Sequence, residues 1–275
     1  TVAKWTVEIT GTEAPEETGY IEMTRRIIDS FPHNGGEFVV EPDASSGAYF
    51  LGAGWLLSTT HATQQARSEA TDLTMLPKEN TLPVRVKNWP DTTWQIDARF
   101  PVYLPLPRTI SRTADLGDAI MMAIVLAADR DSGQEWKSDP AHPGFYVSFE
   151  GLRRPATFTH LGRLRLQECD RVSALRTELQ RCGACVVERA DTLEVIPAEL
   201  HGAEIETYND HRMAMCFSIL GLKVPGIRIK NPACVKKTFP DFFLKLALPE
   251  PLGLDATIVD ARTGRKLDRA ELIAD

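Results

Sequence analysis

Residues 156–196, ATFTHLGRLRLQECDRVSALRTELQRCGACVVERADTLEVI, hold the clearest structural pattern in the chain. Ala156 to Thr159 reads as a short strand. Val172, Leu175, Leu179 and Cys182 then recur at helical spacing, and the pattern stops at Gly183, a residue suited to the left-handed backbone that ends many helices. Two further strands follow, around Val186 and from Leu193 to Ile196. One helix set between strands recurs on both sides of this stretch. Toward the C-terminus a helix is predicted from Asp210 to Leu222 and a strand from Ile227 to Ile229. A last helix is predicted to start at Thr238, where Thr238 with Asp241 has the spacing of a capping box and Pro240 sits in the first turn. Residues 255–268 read as a hairpin turning at Thr263-Gly264.

Toward the N-terminus, Trp5, Val7 and Ile9 alternate with polar residues as a half-buried strand does, and Tyr20, Met23, Ile27 and Phe31 mark a helix. Gly35-Gly36 turns the chain into a predicted strand from Phe38 to Val40. Asp43 caps a run of small and apolar residues reaching Gly54, a helix suited to close packing. Residues 57–81 are expected to be loop with some helix, and strand alternation resumes at Leu82, Val84 and Val86. A Pro-rich crossing over 100–109 leads to Asp118, which opens an apolar helix from Ala119 to Ala128. Residues 129–144 read as a surface loop and Phe145 to Phe149 as a strand. This order predicts an α/β or α+β architecture built of repeated units, not a bundle or a sandwich.

The 275 residues carry 31 Lys and Arg against 38 Asp and Glu, a net charge of −7. An acidic chain with no basic block is a poor binder of nucleic acid or anionic membranes, and no apolar run is long enough to span a bilayer. Five cysteines at irregular spacing do not make a disulfide framework, and no secretory signal is visible, so the expected location is cytoplasmic. The chain begins at Thr1 and runs straight into strand-like sequence, which suggests a fragment. Cys182 and Cys185 form a CxxC, but at a helix C-terminus, where nothing lowers a thiol pKa. No His pair has ligand spacing, so no metal is expected.

Chemistry is concentrated where charge meets predicted helix starts. Glu168 and Arg171 lie three apart at the start of one helix, which a solvated ion pair alone would explain. Capping explains Asn209 or Asp210 in Tyr208-Asn-Asp-His-Arg-Met-Ala-Met215. It does not explain His211 and Arg212, because cations are disfavoured at the positive end of a helix unless an anion is bound nearby. Lys236-Lys237 precede the helix predicted at Thr238 in the same way. Asp118 reads either as a helix cap or as a base acting on a hydroxyl.

Together with Tyr20-Ile-Glu-Met-Thr24, Asp43-Ala-Ser-Ser-Gly-Ala-Tyr-Phe-Leu51, Gly117-Asp-Ala-Ile-Met121, Glu168-Cys-Asp-Arg171 and Lys237-Thr-Phe-Pro-Asp-Phe242, these segments resemble the enolpyruvyl transferase family, and within it the EPSP synthases. They occur in the family's order. The resemblance implies an incomplete first domain and a fold of repeated βαβαββ units with parallel helices packed inside sheets. Residues 1–42 would be the last unit of a first domain, 43–250 the second domain, and 251–275 a C-terminal extension.

It also implies the substrates phosphoenolpyruvate and shikimate 3-phosphate, with no cofactor and no metal. Asp118 would be the base and Glu168 the proton donor to carbon. Arg171, His211, Arg212 and Lys237 would hold phosphoenolpyruvate, and Tyr20, Asp118, Arg163 and Gln167 would hold shikimate 3-phosphate. Three positions depart from the family pattern: Gln167 stands for a Lys, Arg163 for an Asn and Glu17 for a Ser. Arg163 is expected to replace the missing charge. The family's glycine-rich and phosphate-binding N-terminal segments have no match here. A subunit completed by a separate N-terminal half, or a non-catalytic relic of the same fold, therefore stand as alternatives to a complete enzyme, and no turnover is expected of this chain alone.

Overall fold

A computed structural model describes residues 18–69, 73–76, 84–129, 135–138, 146–149 and 155–274. Its centre is a mixed four-stranded sheet in the order β2 (Thr109–Ser111), β5 (Ala156–Thr159), β7 (Thr192–Ile196), β6 (Cys185–Arg189). β2 runs parallel to β5, and the other neighbours are antiparallel. With α3 (Ile120–Ala128) between β2 and β5, and α4 (Arg171–Arg181) between β5 and β6, residues 109–196 form one βαβαββ unit. An antiparallel sheet of β1 (Leu73–Leu76), β4 (Tyr146–Phe149) and β3 (Glu135–Ser138) is built from segments outside that unit's core.

Helix α3 is apolar on every side, as a central helix must be, and all nine of its residues are buried. It packs against α2 (Ala44–Glu69), α4 and α5 (His211–Gly221), and lies on β5 and β7. The small residues of α2 permit that approach. A Cβ at Gly52 would come within 2.9 Å of Met122. Asp43 caps α2 as expected, accepting from the Ser45 N–H at 2.9 Å and the Ser46 hydroxyl at 2.5 Å. Helix α1 spans Thr18–Ser30, and α4 ends at Cys182 and Gly183, whose φ is +93°. All five cysteines are free. Among the described residues no helix is long and apolar enough to cross a membrane.

Several local expectations are corrected. Residues 38–40 are irregular and leave Val39 and Val40 exposed, because no strand pairs with them among the described residues. Of the strand expected at Leu82, Val84 and Val86, residues 84–86 are also irregular, and Leu82 falls outside the described residues. Within 57–81, expected to be loop with some helix, α2 continues to Glu69 and β1 follows as a strand that was not expected. β3 lies inside the expected loop 129–144, formed by pairing with β4 and not by its own pattern. β2, three residues long, was too short to read from periodicity. The strand predicted at Trp5 to Ile9 falls outside the described residues.

The C-terminal region differs most. Lys237 closes a 3-10 turn, Pro232–Lys237, and α6 begins only at Phe242 and runs to Ala247. The predicted capping box does not form, because Thr238 and Phe239 both donate to the Val235 carbonyl, and Asp241 makes no side-chain cap. The hairpin near Gly264 is present: Val259 bridges Lys266, and Gly264 N–H donates to Asp260 at 2.8 Å. A two-stranded parallel sheet, β8 (Glu204–Ile205) with β9 (Arg228–Ile229), flanks α5.

Candidate active site

Asp118 ends the turn before α3, yet it does not cap that helix. The N–H of Ala119 donates instead to Asp97 Oδ1, at 2.5 Å, from the 3-10 turn Ile96–Tyr103. That borrowed cap leaves the Asp118 carboxylate free to face the arginines. Arg112, its side chain 1% exposed, donates to Oδ1 through Nε at 3.3 Å and Nη2 at 3.1 Å. Arg212 Nη2 lies 3.5 Å and Arg171 Nη1 3.7 Å from Oδ2, and Gln167 Nε2 donates to the same oxygen at 3.3 Å. Burial pushes the Asp118 carboxyl up, but Arg212, Arg112 and Arg171 together outweigh it and hold it below the usual range. The capping reading of Asp118 is thereby corrected.

Arg171, the first residue of α4, is also almost fully buried. Its Nε donates to Asp210 Oδ2 at 2.6 Å, its Nη2 to Glu168 Oε2 at 2.5 Å, and its Nη1 to Gln167 Oε1. The i, i+3 pair with Glu168 thus exists, but it is not a solvated one. Lys237 donates to the other Glu168 oxygen. Burial of Glu168 is outweighed by Lys237 and Arg171, which hold its carboxyl down at about 2. Arg171, Arg212 and Lys237 therefore converge on two carboxylates contributed by two different segments.

The mouth of α5 is built by Asp210, which accepts from the Arg212 N–H at 2.8 Å while gripping Arg171. The turn before it is strained, with Tyr208 and Asn209 at φ +54° and +57°, conformations costing of order 1 kcal/mol or more for residues other than glycine. His211 is buried, and burial together with Arg212 lowers its pKa to about 4, so it is neutral at pH 7. Its Nδ1 has no hydrogen-bond partner among the described residues. Arg212 reaches Tyr49 Oη at 3.4 Å, so both contacts of its fork are long.

The idea that unbalanced cations crowd helix starts is corrected in two respects. His211 carries no charge, and Lys237 stands at the end of a 3-10 turn, where a cation is favoured. The remaining charges are matched by Asp118, Glu168 and Asp210. Burial, then the charges of Asp97 and Asp118, raise the phenol of Tyr20 on α1 well above the ordinary range. Arg163 is exposed in the 3-10 turn Gly162–Leu166, and Arg112 brings a further cation to Asp118. Arg112 and Asp97 were missed from sequence, since neither lies in a charged motif, and Asp210 had been read only as a cap.

Asp97 is 3% exposed, and burial followed by the neighbouring Asp118 charge raises its pKa to about 6. A raised carboxyl lets the folded state hold a proton that the unfolded chain has released, so stability falls as pH rises from about 4 to about 6. Asp97→Asn keeps the acceptor for Ala119 and is expected to flatten this slope. Urea unfolding across that pH range checks it, and an unchanged slope refutes the assignment.

The fold and site define a mixed α/β protein with a βαβαββ unit over residues 109–196 and a buried arginine–carboxylate cluster where α3, α4 and α5 begin. The chain belongs to the EPSP synthase (3-phosphoshikimate 1-carboxyvinyltransferase) family, whose sequence profile matches residues 18–246. The 3-phosphoshikimate 1-carboxyvinyltransferase of Nostoc punctiforme is 30% identical over 248 residues, covering 82% of this chain and 51% of that protein. That of Yersinia ruckeri is 35% identical over 218 residues, covering 78% and 44%. An EPSP synthase structure from Acinetobacter baumannii superposes with a TM-score of 0.43 at 20% identity, over 78% of this chain and 48% of that one. The chain spans about half the length of the curated relatives it matches.

Proposed function

We propose that this chain supplies the phosphoenolpyruvate-handling part of an enzyme that moves the enolpyruvyl group of phosphoenolpyruvate onto the 5-hydroxyl of shikimate 3-phosphate, releasing phosphate, in aromatic amino-acid biosynthesis. The observation that carries the reading is the convergence of Arg171, Arg212 and Lys237 on Asp118 and Glu168. Residues 1–42 would close a first domain, 43–250 form the second and 251–275 extend it. The protein would act in the cytoplasm, with the family's N-terminal half, on the same or on a separate polypeptide, supplying the other wall of the site.

The substrate's two anionic groups compete with the protein's own carboxylates. Its carboxylate takes Arg212, whose present contacts are long, and the outer edge of Arg171, while its phosphate takes Lys237 beside His211. Glu168 then loses both cations that hold it ionised and gains the proton it must deliver to the methylene carbon. Asp118 is likewise relieved of part of the arginine field and becomes basic enough to accept the proton of the attacking hydroxyl. The hydroxyl oxygen bonds to C2, giving a tetrahedral adduct. Loss of phosphate, with return of a methyl proton to Glu168, gives the enol ether. Tyr20, Gln167 and Arg163 would orient shikimate 3-phosphate.

The scheme couples binding to proton uptake. With the free Glu168 carboxyl at about 2 and the bound one raised, phosphoenolpyruvate binds more tightly as pH falls, by up to tenfold per unit within that window. Calorimetric titration of phosphoenolpyruvate, with and without shikimate 3-phosphate, in buffers of different ionisation enthalpy measures the uptake. Glu168→Gln cancels the ligand's own titration by subtraction. Uptake present in the parent chain and lost in the variant is expected. No binding at millimolar ligand, or equal uptake in both, overturns the reading. Turnover is expected only after an N-terminal half is added, and Asp118→Ala or Glu168→Ala should then abolish it.

A further inference from the structure

We propose that Glu178, two turns along α4 from Arg171, is a positioning residue that latches the Tyr208-Asn209 turn and so fixes where Asp210 and Arg212 stand. The inference rests on the anion-site reading above but adds a residue that touches no substrate. Glu178 is fully buried. Its Oε1 accepts from the Tyr208 hydroxyl at 2.8 Å, and its Oε2 accepts from the Glu206 N–H at 3.2 Å and from Arg181 Nη1 at 2.8 Å. A carboxylate from one helix thus holds both the backbone entering the turn and the side chain at its apex.

The turn requires holding. Tyr208 and Asn209 are consecutive non-glycine residues in the left-handed region, and such a backbone persists only where surrounding contacts over-determine it. Glu178 grips Tyr208 from one side, and Asn231 Nδ2 donates to Asn209 Oδ1 at 3.0 Å from the other. Burial and the Glu178 carboxylate push the Tyr208 phenol up to about 12, so it remains a donor throughout the neutral range. Asp210 follows at once, is itself 0% exposed, and both starts α5 and grips Arg171. Helix α4 is therefore tied to one loop twice, by Arg171 to Asp210 and by Glu178 to Tyr208. Two ties two turns apart fix the loop in position and in rotation, whereas Arg171–Asp210 alone would leave it free to pivot.

Tyr208→Phe removes one hydroxyl from a residue 36% exposed and leaves the Glu178 contacts to the Glu206 N–H and Arg181 in place. The expected results are phosphoenolpyruvate affinity about tenfold weaker, and amide hydrogen exchange at least tenfold faster over residues 206–212 with the middle of α4 unchanged. Ile219→Val, a buried change more than two turns along α5 from Asp210, controls for lost stability and should leave affinity and that exchange pattern as they are. Glu178→Gln has one acceptor oxygen where the carboxylate uses two, so it cannot serve the Tyr208 hydroxyl and the Glu206 N–H as acceptors together and should also speed exchange over residues 206–212. Unchanged exchange over 206–212 in Tyr208→Phe overturns the latch. So does parent-like affinity in that variant where the parent binds. A parent chain that does not bind phosphoenolpyruvate overturns the anion-site reading, and the exchange measurement then decides the latch by itself.

Discussion

Replacing Arg171 by alanine is expected to destabilise the chain by about 3–5 kcal/mol, because it leaves the buried Asp210 carboxylate without its cation. The arginine side chain is 1% exposed and Asp210 is 0% exposed, so water reaches neither partner to compensate. Three acceptors lose a donor at once: Asp210, Glu168 and the Gln167 amide oxygen. Arg171→Lys keeps the charge, but one ammonium cannot serve acceptors spread along a planar fork, and it should recover only part of the loss. The cause can be isolated by Arg171→Met with Asp210→Asn. Asparagine caps a helix about as well as aspartate, so the N–H of Arg212 stays satisfied while the stranded charge disappears. The double variant should be clearly more stable than Arg171→Ala. Chemical denaturation at pH 7 reads both, and a loss below about 1 kcal/mol for Arg171→Ala would show that the pair is not the buried one described here.

That dependence on burial also explains which parts of the molecule could be read in advance. Helices α4 and α5 and strands β5, β6 and β7 follow from apolar spacing together with local stop signals, such as Gly183 after α4 and Asp210 before α5, which act within one turn of chain. Five members of the cluster, Asp118, Glu168, Arg171, Arg212 and Lys237, are legible because charge beside a helix start draws notice or matches a family string, and Gln167 because it departs from one. What joins them was not legible. Asp97 caps α3 from 22 residues away, and Arg112 reaches Asp118 from the end of a three-residue strand, so no periodicity marks either. Thr238 with Asp241 has the spacing of a cap, yet the preceding 3-10 turn claims its N–H groups first. A local signal decides an element only where no neighbouring segment offers a better partner. The cations at the helix starts illustrate the same limit, since their counter-charges come from other segments and only the folded chain shows them balanced.

Gly117→Ala tests the least legible part of the site. Gly117 has φ +23° and ψ −132°, and a Cβ there would lie 2.5 Å from Asp97 Oδ2 and 2.7 Å from Ile96 Cγ2. The positive φ costs an alanine about 1–2 kcal/mol and the overpacking about 1–3 more, for roughly 2–5 in all. At about 2–4 °C per kcal/mol for a chain of this size, Tm should fall by roughly 4–20 °C. The carboxylate cannot simply swing aside, because Asp97 Oδ1 is held by the Ala119 N–H that opens α3. Moving it uncaps α3 and shifts Asp118, the next residue, relative to Arg112, so phosphoenolpyruvate affinity should fall together with Tm. Asp97→Ala removes the oxygen that the new methyl would strike, and the two substitutions together should cost less than the sum of each alone. Strict additivity would mean that backbone strain accounts for the whole loss and that Asp97 does not hold the turn. A Tm within about 2 °C of the parent's for Gly117→Ala would mean that the turn is loose, and Asp118 would then have no fixed place among its three arginines.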